Sequence, residues 1–354
     1  MTADDAALTP DPAPLRRLDR KLARIRAGAY TPDDFVIADA KDADMAFGVT
    51  AAGRVPETPA PVPGALPPAA PDRHRTRAAY LDAMRALLDQ GHLDILLTSA
   101  SNGERLAAEP GPARTLAGDV TLAVRGNDAT DIWFSRGGVY PKRPSQPFRT
   151  ADLGAVRAFC DLVLYSVTFN NDLEHDVATL EAYSAFRPEA AQAGVRHFLE
   201  VFNPNAPAHL GAHDIGAFVN DSIVRALAGV TAAHRPLFLK VAYNGAGALA
   251  ELTQHDPELV VGILGGLAGT TRDAFELLHR AEAHGARVVL FGRKIQRAES
   301  QLDLVALMRA VITRALTPAD AVRAYHDALG AAGLPPHRPL AADLQVTDPV
   351  LAAE

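Results

Sequence analysis

Cysteines, basic runs and long apolar runs are scarce or missing in this sequence of 354 residues. Cys160 is the only cysteine, which excludes an intramolecular disulfide and a cysteine-based zinc cluster and favours a reducing compartment. The net charge is -7 and no run of five or more lysines and arginines occurs, so we expect neither nucleic acid nor an anionic membrane as the main partner. An anionic ligand therefore needs a local basic site.

Signals for export, membrane insertion and metal binding are also missing. The N-terminal segment MTADDAALTPDPAP has acidic residues where a signal peptide needs basic ones, and no apolar run approaches about 18 residues. The twelve histidines show no H-E-x-x-H pattern; His209 and His213 are four residues apart, but no carboxylate partner is evident. We expect a cytoplasmic protein without a metal ion, a cofactor or a membrane partner.

Eight apolar runs alternate with helical patterns along most of the chain. The runs are continuous rather than alternating, which is typical of parallel strands that are covered on both faces. They predict a single (β/α)₈ TIM barrel over residues 35–315, after a tail and capping helix at 1–34 and before a C-terminal helix and tail at 316–354. An open, doubly wound sheet is the alternative. The runs begin at Phe35, Leu93, Asp119, Asp161, Val195, Pro236, Leu259 and Ala286. The clearest helical patterns span residues 75–90, 151–159, 173–193, 214–233, 271–284, 298–315 and 318–329.

A proline-rich insertion, VPETPAPVPGALPPAAP at residues 55–71, interrupts this alternation. Its seven prolines favour a semi-rigid extended loop. The loop lies between the first strand and the first helix of the barrel, on the face where barrel active sites are built. Both a lid over the site and a tolerated surface insertion fit this position.

The segment PLFLKVAYNG places a lysine inside an apolar strand. Alternate strand residues point into a barrel, so we expect Lys240 to lie inside with Phe238. The same alternation on the preceding strand directs Glu200 inward. Burying a charged group is costly unless the group is paired or functional, so a structural ion pair between Lys240 and Glu200 is one explanation.

The other explanation is chemical. Burial favours the neutral form of a lysine, and a neutral amine can attack a carbonyl carbon to form a Schiff base. Glu200 would then move protons to and from the reacting atoms. We expect Asp39, from the first strand, to hold substrate hydroxyls, and Arg125, at the end of the third strand, to contact the substrate.

Glycines follow the last two predicted strands. Gly265 and Gly266 come directly after the seventh strand, and Gly292 and Arg293 end the eighth. Glycines at these loops let backbone N–H groups approach a phosphate, which barrels commonly bind after strands seven and eight. Arg293 or the adjacent Lys294 would add positive charge. We therefore expect a phosphorylated small molecule as the ligand.

With these residues identified, the chain resembles the class I, Schiff-base-forming aldolases of the archaeal-type fructose-bisphosphate and tagatose-bisphosphate group. The likeness lies in FLKVAYNG, FLEVFNP, VIAD, ILGG and LFGRKI. It implies that Lys240 forms the Schiff base, that Glu200 is the acid/base of the tagatose type and that Asp39 is the aspartate of the first strand. It also assigns the phosphate to Gly265, Gly266, Gly292 and Arg293.

Two departures from that group concern the substrate. The fructose-bisphosphate members have a tyrosine just before the proline after strand five, where this chain has Asn203 and Pro204. The first-strand motif usually continues with His-Gly, whereas here it continues AKDADMAFG.

The resemblance implies an aldehyde-lyase that makes or breaks a C–C bond in a phosphorylated sugar or keto compound, and we expect a homo-oligomer. Two alternatives are a phosphosugar isomerase or epimerase, with Glu200 as the base and Lys240 as an electrostatic partner, and a barrel that binds a phosphorylated ligand without turnover.

Overall fold

A computed structural model describes residues 15–55, 73–109, 119–206, 210, 214–266 and 269–354. Eight parallel strands close into a barrel in the order β1-β8-β7-β6-β5-β4-β3-β2, which confirms the predicted (β/α)₈ fold. Each strand falls within or beside one of the eight apolar runs. The strands are β1 Val36–Lys41, β2 Ile95–Thr98, β3 Thr121–Arg125, β4 Leu162–Thr168, β5 Arg196–Phe202, β6 Leu239–Val241, β7 Val261–Leu264 and β8 Val288–Phe291. Most of the proline-rich segment, and both His209 and His213, lie outside the described residues.

Helices cover the outside of the barrel, and several begin where a polar side chain accepts a backbone hydrogen bond. Thr270 and Asp273 form a capping box at the start of one helix. The predicted C-terminal tail contains two single-turn helices after Gly333. The helices are α1 Arg17–Arg26, α2 Ala43–Phe47, α3 Arg77–Gln90, α4 Ala100–Ala107, α5 Leu153–Arg157, α6 Leu173–Ala193, α7 Ile215–Leu227, α8 Ala246–His255, α9 Thr271–Ala283, α10 Arg293–Gln296, α11 Gln301–Ile312, α12 Pro318–Ala331, α13 Leu340–Asp343 and α14 Pro349–Ala352.

The strands divide their side chains between two apolar layers. Phe198 and Phe238 belong to the cluster inside the barrel, whereas Leu199, Leu239 and Val241 belong to the cluster between strands and helices. Because side chains alternate along a strand, Glu200 and Lys240 have the same inward orientation as the two phenylalanines. The predicted orientation of β5 and β6 is therefore confirmed.

A short antiparallel pair, Asp128–Ala129 with Pro147–Phe148, braces the loop that connects β3 to α5. This loop lies at the C-terminal ends of the strands, where barrel enzymes bind their substrates. Within the described part of the chain, no helix is long and apolar enough to cross a membrane.

Candidate active site

A cavity of about 270 Å³ opens at the C-terminal ends of the barrel strands. Its walls come from β1, β3 and β5 through β8 and from the loops that follow them. All but one of the site residues predicted from the sequence line this cavity. They are Lys240, Glu200, Arg125, Gly265, Gly266, Gly292 and Arg293.

Lys240 and Glu200 are neighbours across β5 and β6 and form a direct ion pair between Nζ and Oε1. The side chains are 7% and 2% exposed, so the pair is almost completely removed from water. The ion pair considered from the sequence is thus present. It also forms part of the cavity wall, which places the amine where a ligand can reach it.

The second oxygen of Glu200 is held by two donors. Its Oε2 accepts hydrogen bonds from Ser166 Oγ at 2.9 Å and from Arg125 Nη2 at 3.1 Å. The Ser166 hydroxyl in turn accepts from Arg125 Nη1 at 2.6 Å. With Lys240 on its other oxygen, this carboxylate has a fixed orientation toward the amine, as an acid/base group requires.

Asp42 completes the network, and the sequence reasoning missed it. Its Oδ2 accepts from Arg125 Nε at 2.5 Å. Burial alone would lower the pKa of Arg125, but the carboxylates of Asp42 and Glu200 raise it above its ordinary value. The guanidinium therefore stays charged and links the loop after β1 to the acid on β5. The acidic run after VIAD was the available signal for Asp42.

Asp39 is the predicted residue that does not reach the cavity. Its neighbours Val36 and Ala38 point into the barrel, so Asp39 points outward with Ile37. There it is fully buried and pairs with Lys41 Nζ at 3.0 Å. Burial raises the pKa of Asp39 to about 6, against the lowering effect of Lys41. Contrary to the prediction, Asp39 is not brought together with Lys240 and Glu200.

The loop after β7 needs glycine for geometric reasons. A Cβ on Gly265 would lie 2.8 Å from the Phe291 ring, so no larger residue fits without displacing that ring. Gly266 has a φ of +60°, which is unfavourable for other residues. Both glycines bring backbone to the wall of the cavity.

Two arginines supply positive charge beside these glycines. Arg293 and Arg297 both line the cavity, and neither side chain has a hydrogen bond or ion pair within the described residues. Burial and the nearby Arg297 lower the pKa of Arg293, and Glu200 opposes that effect. Two adjacent guanidiniums without a carboxylate partner favour the binding of an anion. Arg297 was missed from sequence, although it follows Arg293 by one helical turn.

Lys294 points elsewhere. It is buried and lines a neighbouring cavity rather than the one that contains Lys240. Burial lowers its pKa to about 8, and Asp273 and Asp348 oppose that shift. The charge beside the glycines therefore comes from the arginines.

The side of the cavity formed by the loops after β1 and β3 is apolar. Phe47 of α2 stacks on Phe134 of the β3 loop, with ring centroids 5.1 Å apart. The Phe134 N–H donates to the Ala46 carbonyl at 2.8 Å, which fixes the two segments together. Among the described residues, no group of three or more histidine, cysteine, aspartate or glutamate side chains is placed to hold a metal ion.

No protein-family model and no curated protein matches the chain. Solved structures do. An archaeal fructose 1,6-bisphosphate aldolase covers 84% of this chain and 99% of its own, with a TM-score of 0.57 and 14% identity. Another structure of an archaeal fructose-1,6-bisphosphate aldolase, with the catalytic lysine covalently bound to the carbinolamine intermediate of its substrate, matches equally well, with the same coverage, TM-score and identity. Cgl0159 from Corynebacterium glutamicum covers 86% of this chain and 100% of its own, with a TM-score of 0.56 and 17% identity. At these low identities, the TM-scores above 0.5 over most of both chains show a shared fold.

Proposed function

We propose that the chain is a class I aldolase-like lyase that forms a Schiff base through Lys240 and acts on a phosphorylated sugar or related keto compound. One observation carries the proposal. The Lys240 amine and the Glu200 carboxylate are in direct contact on the wall of a cavity that also presents Arg293 and Arg297.

The chemistry begins with a proton moving from the Lys240 ammonium to Glu200. The neutral amine attacks the substrate carbonyl carbon and gives a carbinolamine, and loss of water, with a proton from Glu200, gives the protonated imine. Glu200, now ionised again, takes the proton of the hydroxyl on the β-carbon as the bond between the α- and β-carbons breaks, and the electron pair of that bond moves toward the iminium nitrogen. The aldehyde leaves and an enamine stays on Lys240. Reprotonation of the enamine carbon and hydrolysis of the imine release the second product.

Arg125 and Ser166 support this sequence by positioning Glu200. Their donated hydrogen bonds hold one carboxylate oxygen in place, so the other oxygen stays directed at the Lys240 amine. The structural neighbours are consistent with the assignment, because one of them is an aldolase with a covalent intermediate on its catalytic lysine.

Arg293 and Arg297 are assigned to the phosphate of the substrate. An anion between them would neutralise two guanidiniums that form no ion pair or hydrogen bond with a carboxylate among the described residues. The backbone at Gly265 and Gly266 lies on the same wall and can approach the phosphate oxygens. This end of the cavity would thus hold the substrate while its carbonyl carbon faces Lys240.

Borohydride trapping tests the proposal. We expect that dihydroxyacetone phosphate with sodium borohydride leaves a reduced adduct on the peptide that contains Lys240, one of five lysines in the chain. Lys240→Ala should give no adduct. Lys142→Ala, at an exposed lysine, is the matched control and should be trapped like the parent protein. The aldolase assignment is lost if no sugar phosphate in a broad panel gives an adduct on Lys240.

The direct Lys240–Glu200 ion pair also favours a second candidate, an isomerase or epimerase of phosphosugars. In that reaction Glu200 removes a proton next to the carbonyl and the Lys240 ammonium stabilises the resulting enolate. Turnover of a phosphosugar that survives borohydride treatment would select this candidate.

A further inference from the structure

The two sides of the active cavity differ in chemistry. In the closed order of strands, β7 lies opposite β3. The loops after β7 and β8 present glycine backbone together with Arg293 and Arg297. The loops after β1 and β3 instead present Phe47, Ile132 and Phe134.

Among the described residues that line the cavity, the loops after β1 and β3 contribute no basic side chain. Arg125, the last residue of β3, lines the cavity, but each of its three nitrogens donates to a protein acceptor. These acceptors are Asp42, Ser166 and Glu200. Lys240 is paired with Glu200. Within the described residues, the unpaired basic side chains of this cavity are therefore confined to the α10 side.

The aromatic wall is also well fixed. The Phe47 and Phe134 rings are nearly parallel, with an interplanar angle of 12°. The backbone hydrogen bond from Phe134 to Ala46 ties the β3 loop to α2. Trp133, beside Phe134, packs on Tyr140 with a centroid distance of 4.5 Å, which supports the loop from outside. A wall held in this way presents a preformed apolar surface to the ligand.

We propose that the substrate carries one phosphate, held on the Arg293 side, and ends in an uncharged, apolar group that packs against Phe47 and Phe134. This inference rests on the proposed function and narrows its substrate class. A second phosphate at this wall would lose its water without gaining a cationic partner, and Asp42 would repel it. An apolar group gains free energy in proportion to the surface that it buries.

Two ligands of equal chain length test the inference by calorimetry. Hexyl phosphate ends in a methyl group, and hexane-1,6-diyl bisphosphate ends in a second phosphate. We expect hexyl phosphate to bind at least about tenfold more tightly, because the unpaired charge must be desolvated at an apolar wall. Equal or tighter binding of the bisphosphate overturns the inference, and so does failure of both ligands to bind.

Phe134→Ala should lower the affinity for hexyl phosphate by about tenfold, because it removes most of an aromatic contact with the ligand. The affinity for inorganic phosphate, which does not reach this wall, should stay unchanged. Leu173→Ala is the control, since Leu173 is an exposed apolar residue at the start of α6 that does not line the cavity. Equal effects of the two substitutions on hexyl phosphate would also refute the aromatic contact.

These outcomes are separate from those of borohydride trapping. If Lys240 is trapped but the protein prefers the bisphosphate, the proposed function is supported and the apolar-subsite inference is refuted. If the protein prefers hexyl phosphate but no keto substrate is trapped on Lys240, the apolar subsite is supported and the Schiff-base assignment is refuted.

Discussion

The protein contains two buried lysine–carboxylate pairs whose roles differ because their side chains point to opposite faces of the barrel sheet. Lys240 and Glu200 face into the barrel and line the cavity, whereas Lys41 and Asp39 face the helices and are fully buried. Lys41 Nζ also donates to Gln301 Oε1 of α11 at 2.9 Å, and burial lowers its pKa. The outer pair therefore joins a strand to a helix, and the inner pair is accessible for chemistry.

Replacing Asp39 tests this distinction. Asp39→Asn leaves the Lys41 ammonium buried without its counter-charge, so we expect the free energy of unfolding to fall by about 3 kcal/mol or more in urea titrations. The double variant D39N/K41M should recover most of the loss, because it removes the unpaired charge. Calorimetric affinity for inorganic phosphate should stay at the parent value in the folded single variant. A large loss of phosphate affinity without loss of stability would instead mean that Asp39 takes part in ligand binding.

At the scale of elements, α1 closes the end of the barrel opposite the site. Leu18 and Leu22 belong to the interior apolar cluster and are 0% and 2% exposed. Asp94, just before β2, anchors the helix through ion pairs with Arg17 at 3.0 Å and Lys21 at 2.8 Å. The N-terminal face of a barrel generally serves stability, and here a separate helix supplies part of its core.

Leu22→Ala should therefore destabilise the protein by about 2 to 5 kcal/mol, because it leaves a cavity inside the barrel. Leu15→Ala is the matched control; Leu15 is 60% exposed and its loss should change stability by less than about 0.5 kcal/mol. Urea unfolding measures both variants. Similar stabilities for the two would mean that α1 does not contribute to the core.

The same elements explain which features were predictable from the sequence. The continuous apolar runs of a doubly covered parallel sheet predict all eight strands, and the charged residues within β5 and β6 reveal Glu200 and Lys240. In β1, apolar residues occupy both faces of the strand, so the local sequence pattern does not indicate that Asp39 points outward. The cavity contacts of Phe134 and Arg297 depend on how a long loop and a short helix pack, which has no periodic signal.

For the molecule as a whole, a histidine buried beneath α6 couples stability to pH. His197 is 5% exposed and lies within 2.9 Å of the Tyr183 hydroxyl oxygen. Burial lowers the pKa of His197 from 6.5 to about 4, and Arg187 and His234 shift it in the same direction. The folded protein therefore holds this imidazole neutral at pH values where an unfolded chain would protonate it.

Because the folded-state pKa lies below the unfolded value, the unfolded chain binds more protons between pH 4 and pH 6.5. The contribution of His197 is complete above pH 6.5 and is lost as the pH falls toward 4, a total of about 3 kcal/mol. Asp39 acts in the opposite direction, since its raised pKa favours the folded state at low pH. Because the two groups oppose each other, the effect of His197 is measured by comparing the pH dependence of the parent protein with that of a His197 variant.

We expect that urea unfolding between pH 4.5 and pH 7.5 gives a shallower pH dependence for His197→Gln than for the parent protein, because glutamine cannot take up the proton. His255→Gln, at an exposed position, should retain the parent slope. If the parent and His197→Gln curves run parallel across this range, acid sensitivity arises from groups other than His197.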